Sequence, residues 1–521
     1  MRAERSLKFL FASVFIAFSL SSCEDDPRNS SHASVSLDSI KKGRELAGVY
    51  CRSCHQLPDP AWLNAASWEK GVLPQMGPRL GIFQHQLQLY PASRSDRSLP
   101  RDFYPQKPLL SKEDWQNILD YYTATAPDTL PGQKRDKPIL PSLPLFAAQP
   151  SGLRYASSMT SFIKIAPKPY PYSMIVSDAM RRQTFFLDQK LAPVDSLQNG
   201  GPVVDMLLSQ NGLLACNIGQ LNPNNGRLGK GDLYQYADGK WDLQPKTLFD
   251  SLQRPVQVTA ADLNGDGRQD YVVCEFGFLT GALSWLEAGA DGRFSRHVLK
   301  PLPGAIKAYV NDWNGDGRPD LCVLMAQGDE GIFLYTNKGG GNFEEQRLLQ
   351  FPPVYGSSYF ELADFNKDGH PDIVYTCGDN ADYSPVLKPF HGVYLFLNDG
   401  ANRFVQQYFF PINGCYKAMA RDYDGDGDLD LATISFFADY AHQPEEGFVY
   451  LENKGGWNFQ PYTVPAAANG RWLTMDAGDV DGDGRIDLVL GNFFMGPTIM
   501  HAAADWSKAP PVLWLKNTGK K

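Results

Sequence analysis

From about residue 150 to the C-terminal end, apolar residues fall in short runs, such as Tyr271-Val272-Val273-Cys274, broken by clusters of Gly, Asn and Asp. Runs of this length between turn residues predict β-strands. The chain before that point reads differently. Trp115, Ile118, Leu119 and Tyr122 lie on one face at helical spacing, behind a capping-box-like start at Ser111 and Asp114 and before a stop at Pro127. Leu46, Val49 and Tyr50 give similar spacing earlier. The pattern therefore divides the chain into an all-α segment over 37–128, a stiff linker over 129–149 carrying Pro131, Pro138, Pro141 and Pro144, and an all-β segment over 150–517.

The β segment is repetitive. A nine-residue acidic stretch begins at Asp262 and recurs at Asp312, Asp364, Asp422 and Asp479. Each copy leads into an apolar run and then, in most copies, a second signature, as in Leu334-Tyr-Thr-Asn-Lys-Gly and Leu395-Phe-Leu-Asn-Asp-Gly. Two further units, 150–199 and 200–252, lack the acidic stretch. Seven units of this length suit the four-stranded blades of a β-propeller. The last unit, ending at Leu513-Trp-Leu-Lys-Asn-Thr-Gly, is one strand short. A ring must hide its strand edges, so the segment around Leu145 to Ile165 is expected to supply the closing strand.

The acidic stretches follow Asp-x-[Asp/Asn]-x-Asp-Gly-x-x-Asp. Oxygen ligands come from positions one, three, five and nine: Asp262, Asn264, Asp266 and Asp270; Asp312, Asn314, Asp316 and Asp320; Asp364, Asn366, Asp368 and Asp372; Asp422, Asp424, Asp426 and Asp430; Asp479, Asp481, Asp483 and Asp487. Position seven (Arg268, Arg318, His370, Asp428, Arg485) offers a main-chain carbonyl, and the glycine permits the sharp turn. An all-oxygen set of this kind favours Ca²⁺ over zinc or copper, at up to five sites. The repeats resemble the FG-GAP/VCBS family of integrin α-like propellers and bacterial surface proteins. That resemblance implies a propeller whose calcium ions are structural, each locking a turn between strands.

At the other end, Arg2, Arg5 and Lys8 precede an apolar run from Phe9 to Leu20, too short to span a bilayer. Leu20-Ser21-Ser22-Cys23 resembles a bacterial lipobox, which implies removal of residues 1–22, a lipid on Cys23, and a tether over 23–36. Cys51-Arg-Ser-Cys54-His55 places two thiols and an imidazole at the spacing of c-type haem attachment. No second Cys pair completes a zinc site, and the βαβ context of a redox dithiol is missing. The segment resembles a small class I-like cytochrome c domain. The resemblance implies one covalent haem c with His55 as an iron ligand and a distal ligand opposite; Met76 is the expected residue, His85 its competitor, and an open iron a third arrangement. Pro58 or Pro60 is expected to offer a carbonyl to the His55 ring. Cys216, Cys274, Cys322, Cys377 and Cys415 remain, and are expected to be buried free thiols with no more than one bridge.

Composition narrows the function classes. The chain has 521 residues, is 43% hydrophobic and 21% charged, and carries a formal charge of −9. No clustered basic surface is apparent, which argues against a nucleic-acid partner. No Ser-His-Asp set, phosphate loop or HExxH motif is present. The reading is a lipid-anchored, exported c-type cytochrome of a Gram-negative cell envelope, passing electrons to or from a redox partner protein or small donor or acceptor. The propeller is its binding or docking module. Two alternatives stay open: a propeller-based oxidoreductase feeding the haem, and a surface adhesin or glycan-binding protein. Aromatic residues in the later loops (Phe276, Phe278, Tyr383, Phe436, Phe437, Tyr440, Phe493, Phe494, and Met495 beside them) bear on the last, if they gather on one face.

Overall fold

The computed structural model describes residues 29–143, 145–168, 170–209, 211–381, 383–496 and 504–520. Cys23 and the leader preceding it lie outside these residues. Seven antiparallel sheets form a seven-bladed β-propeller; six have four strands and blade 2 has five. Blade 6 is representative, with strands Cys415–Arg421, Asp430–Ser435, Phe448–Asn453 and Phe459–Tyr462, running from the axis outward. The repeated sequences map onto it directly. The acidic stretch joins the innermost strand to the second, and the second signature forms the third strand, which is fully buried.

Ring closure follows the expectation from the short last unit. Phe146–Pro150 pairs antiparallel with Val512–Asn517 and becomes the outer strand of blade 7. Thr160–Ile165 is instead the innermost strand of blade 1. The closing strand thus falls inside the stretch read as linker, and the rest of that stretch is bound along the propeller. Gln133 donates to the carbonyls of Lys388 and His391, Arg135 pairs with buried Glu446 and donates to the Pro411 carbonyl, and Lys137 reaches the Phe459 carbonyl. Proline extends this segment, but its polar side chains find main-chain acceptors that hold it down.

Around the axis, a polar bond crosses every blade junction. Asp205, Gln257, Glu361 and Asp476 accept the backbone N–H of Val258, Ala308, Ala420 and Ile165, each on the next innermost strand. Ser161 and Lys417 donate to the carbonyls of Val203 and Met475, and Tyr309 to that of Phe360. Inner-strand groups near the axis have no further strand to pair with, so side chains complete their hydrogen bonding.

The N-terminal segment contains two 14-residue helices, α1 (Leu37–Tyr50) and α2 (Lys112–Thr125), capped by Ser36 and Ser111. They cross closely at Gly43, where a Cβ would collide with the Asn117 carbonyl and the Tyr121 side chain. Ile40, Ala47, Trp68, Trp115, Ile118 and Tyr122 form their shared core. The helical expectation holds at both ends of 37–128. Between them lie short helical turns over 60–80 and a two-residue strand pair, Gln84–His85 with Gln88–Leu89. Prolines at 58, 60, 74, 78, 91, 100, 105 and 108 explain the change, because each removes a donor and restricts its predecessor. The tether expected over 23–36 is tied back where it is described: Asn29 bonds to the Thr123 and Ala126 carbonyls, and Ser30 and Ser31 to Asp128.

Alternation of strands places the acidic loops on one face of the propeller and the second-to-third strand connections on the other. The helical module sits on that second face. Val354, Tyr355, Val386 and Phe390 from blade 5 and its approach pack against the module's core. Asn225 from the corresponding blade 2 loop donates to Asp96, 2.8 Å away.

Candidate functional site

Two groups of residues carry chemistry, one on each face. On the helical side, Cys51 ends α1 and donates its backbone N–H to the Ala47 carbonyl. The next turn brings Cys54 and His55 round beside it. Both thiols are free; Cys54 is exposed and Cys51 partly buried beside Tyr122. Burial, with the neighbouring Cys54, pushes the Cys51 thiol up to about 11, so it stays protonated at neutral pH. His55 Nδ1 lies 2.8 Å from the Gln56 carbonyl. A carbonyl only accepts, so Nδ1 bears the proton and Nε2 carries the lone pair, the form that ligates a metal. This replaces the expected partners: the Pro58 carbonyl receives the Tyr122 hydroxyl and the Pro60 carbonyl the Trp68 indole N–H.

The two distal candidates differ in how far they are already engaged. Met76 ends the short turn Leu73–Met76, half-buried against the module's core. His85 is buried, with Nε2 held 2.7 Å from Gln116 Oε1. Gln116 Nε2 donates to Asp120, which fixes the amide so that Oε1 faces His85. Among the described residues His85 Nδ1 has no hydrogen-bond partner.

The acidic loops are built alike. Asp262 accepts the backbone N–H groups of Gly265, Asp266 and Gly267, and Asp266 accepts that of Arg268. Gly267 at position six has φ of 80°, and its counterparts are also left-handed, which is why glycine recurs there. The other loops repeat the bond from position one to the N–H at position six, at Asp312, Asp364, Asp422 and Asp479. In the fourth and fifth loops, Asp422, Asp424 and Asp426, and Asp479, Asp481 and Asp483, offer carboxylate oxygens all within 4.8 Å of one another. In the first three, Asn264, Asn314 and Asn366 stand at position three and donate to the position-five carboxylate. Arg268, Arg318 and Arg485 turn their guanidinium groups onto Asp266, Asp316 and Asp483, while Asp428 meets Lys367 of the preceding loop.

The ninth-position carboxylates stand apart. Asp270, Asp320, Asp372, Asp430 and Asp487 are buried beneath their loops. Each accepts two backbone N–H groups, one from the second loop residue and one from the end of the third strand. For Asp430 these are Tyr423 and Asn453, joined by the Tyr450 hydroxyl at 2.6 Å. Burial raises Asp430 to about 7 and Asp487 to about 6. Sequence spacing alone could not separate a surface ligand from this inner strap.

The aromatic loop residues gather only in part. Phe436, Phe437, Phe493 and Phe494 form a cluster with Met159 and Tyr416 on the face opposite the acidic loops, and Arg471 lies over the Phe436 ring at 3.8 Å. Most of this cluster is buried, so it is core; Met495 beside it is exposed. Tyr383 lies elsewhere, against the helical module. Residues that sequence reasoning missed include the axial ring of Asp205, Gln257, Glu361 and Asp476.

Residues 312–375, running from the second acidic loop into the second strand of blade 5, match the FG-GAP-like repeat model. The chain is 23% identical to cartilage acidic protein 1 of Homo sapiens over 319 residues, covering 54% of this chain and 47% of that protein. It is 25% identical to the Xenopus tropicalis protein over 328 residues. Against integrin alpha pat-2 of Caenorhabditis briggsae the identity is 26% over 215 residues, 36% of this chain and 18% of that one. The chain spans about half the length of the cartilage acidic proteins it matches. Among solved structures, the N-terminal domain of Nup159 superposes at a TM-score of 0.40 and 13% identity, covering 74% of this chain and 98% of that one. The WD40 β-propeller domain of Doa1 gives 0.41 at 10%, covering 71% and 95%. The protein is a seven-bladed β-propeller, and its residues 312–375 are similar to an FG-GAP-like repeat. Among the described residues no helix is long and apolar enough to cross a membrane.

Proposed function

We propose that the protein is an exported electron-transfer cytochrome in which Cys51, Cys54 and His55 hold one haem c and the propeller serves as the binding or partner-docking module. The observation that carries the reading is the donor set at the end of α1: two unbridged thiols, with an imidazole whose tautomer leaves Nε2 free of protein partners among the described residues. These residues fit the group. Cys51 and Cys54 would each hold the group through a thioether formed by addition of S–H across a vinyl group, which needs no oxidant. A bound haem supplies a one-electron Fe(III)/Fe(II) couple. Met76 stays the expected distal ligand and His85 its competitor, since the Gln116 contact engages His85 Nε2 but leaves Nδ1 without a partner among the described residues. Cys23 anchors the chain through lipid, in the cell envelope of a Gram-negative bacterium.

The acidic loops bind structural calcium in this reading. Their outer oxygens at positions one, three and five come from Asp and Asn, and the fourth and fifth loops hold three carboxylates within 4.8 Å, a repulsion that a divalent cation relieves. The FG-GAP-like repeat and the likeness to cartilage acidic protein 1 and integrin alpha pat-2 support reading the propeller as a binding module. The test is a pyridine haemochrome spectrum and intact mass of full-length protein matured in a host that attaches haem c, with near-infrared absorption to detect Met ligation. A colourless protein of unmodified mass would sink the redox reading and leave the propeller.

A further inference from the structure

Residues 93–106 of the helical module fold around an open cavity of about 530 Å³. The three arginines of this segment, Arg94, Arg97 and Arg101, all line it. Among the described residues none of the three makes an ion pair or a side-chain hydrogen bond. The lining holds one carboxylate, Asp96, and that group is already committed. Its Oδ1 accepts the Ser98 N–H and its Oδ2 the Asn225 side-chain amide, both at 2.8 Å. Asn225 is a buried residue of the blade 2 loop, and its own carbonyl accepts the Leu279 N–H of blade 3 at 2.9 Å. Asp96 therefore clips the loop to the propeller. The Asn225 and Ser98 donors hold its carboxyl below the usual carboxylate range, so it stays ionised. Three fixed cations face one anion, an excess of two positive charges.

The walls between the charges are aromatic and held in place. Phe83 meets Tyr104 edge to face at 5.7 Å, and Phe103 meets Tyr104 at 4.8 Å. The Tyr104 hydroxyl accepts the Ser93 N–H at 3.1 Å. Arg94 lies over the Phe83 ring at 4.3 Å. A guanidinium stacked by its face keeps its N–H donors in its own plane, where an oxyanion can receive them in pairs. Like charges gathered around one hollow repel each other and focus their field into it, and an anion seated there relieves the repulsion. A cavity of this volume holds a small molecule, and a lining ordered beforehand keeps the cost of binding low.

We propose that this cavity binds a small organic dianion, with Arg94, Arg97 and Arg101 on its oxygens and the rings of Phe83 and Phe103 against its carbon frame. The site stands independently of the haem reading. Its charge excess sets the valence of the occupant, and its aromatic walls favour an organic anion over a bare inorganic one.

The test is calorimetric titration of the full-length protein in about 0.15 M chloride, where weak surface charge effects are screened. Succinate represents a dianion with two carboxylates, and phenyl phosphate one with a single phosphate group. Succinamide and phenol are their uncharged counterparts, and whichever dianion binds tighter identifies the headgroup. At least one dianion should bind about ten-fold or more tightly than its uncharged counterpart. That preference should disappear in Arg97→Gln/Arg101→Gln and return in part in Arg97→Lys/Arg101→Lys, which keeps the charge and so separates lost binding from a collapsed loop. Amide exchange over residues 93–106 should slow when the dianion is bound. If neither dianion binds better than its uncharged counterpart, or if the preference survives unchanged in the double glutamine variant, the inference is overturned.

Discussion

Blades 1 and 2 and blades 3 to 7 reach the same architecture by different chemistry. In blade 2 the first two strands, Val203–Ser209 and Gly212–Asn217, are joined by a tight turn, with the Ser209 hydroxyl donating to the Gly212 carbonyl. The outer part of blades 1 and 2 is then fixed by stacked aromatic rings. Phe186 lies parallel to Trp241 at 4.8 Å, with Tyr172 and Tyr236 against them. Blades 3 to 7 instead insert a nine-residue acidic loop and tie it down with a buried carboxylate. Asn337, Asn398, Asn453 and Asn517, at the end of the third strand in blades 4 to 7, complete the strap by donating side-chain N–H to loop carbonyls. An aromatic stack is indifferent to dissolved ions, whereas a loop that gathers carboxylates is not. The two halves should therefore respond differently to the same perturbation.

Removing calcium should break the comparison most strongly. If each acidic loop holds an ion at a hundred-fold excess over its Kd, chelation withdraws about 2.7 kcal/mol per loop. The melting temperature should fall and amide exchange should accelerate in the acidic loops of blades 3 to 7. The turn of blade 2 should keep its protection and the haem spectrum should persist. An unchanged melt in excess chelator would eliminate the calcium assignment.

Asp430→Ala is next. It strands the N–H groups of Tyr423 and Asn453 and the Tyr450 hydroxyl inside blade 6, and should cost about 4 kcal/mol in urea unfolding. Trp241→Ala should cost about 3 kcal/mol by emptying the aromatic stack, by the same amount with or without calcium. A calcium-dependent cost there would erase the distinction between the two halves.

The smallest effect concerns the axial ring that both halves share. Burial raises the Asp205 carboxyl to about 6, against about 3.9 in the unfolded chain. The folded state then holds this proton more tightly. The resulting stability is fully present below about pH 3.9 and is lost as pH rises through about 6. The Val258 N–H bonded to this carboxylate and the charge of Lys307 oppose the shift. Asp205→Asn should flatten this part of the pH–stability curve, by about 3 kcal/mol at most across the window, measured by denaturant titration at several pH values.

Much of the propeller is legible in the chain because each acidic loop is a local device: nine consecutive residues define the turn, and their recurrence counts the blades. The missing outer strand is legible by the same logic, since a ring cannot leave a strand edge open. The middle of the helical module is less so. Trp68 and Tyr122, which hold the Pro60 and Pro58 carbonyls, lie 8 and 64 residues along the chain from them, and no periodicity links such pairs.

The sequence by itself therefore determined the repeat, the number of blades, their closure, and the Cys51, Cys54 and His55 constellation, all of which depend on residues near one another along the chain or on a fixed period. Only the tertiary structure decided which acids face outward and which strap a blade from within, and which side chains bridge the blades at the axis. It also decided that the helical module rests on the face opposite the acidic loops, packed against Val386 and Phe390 of the propeller. Those outcomes depend on burial and on hydrogen-bond partners from distant segments, and such pairings are set when the elements pack.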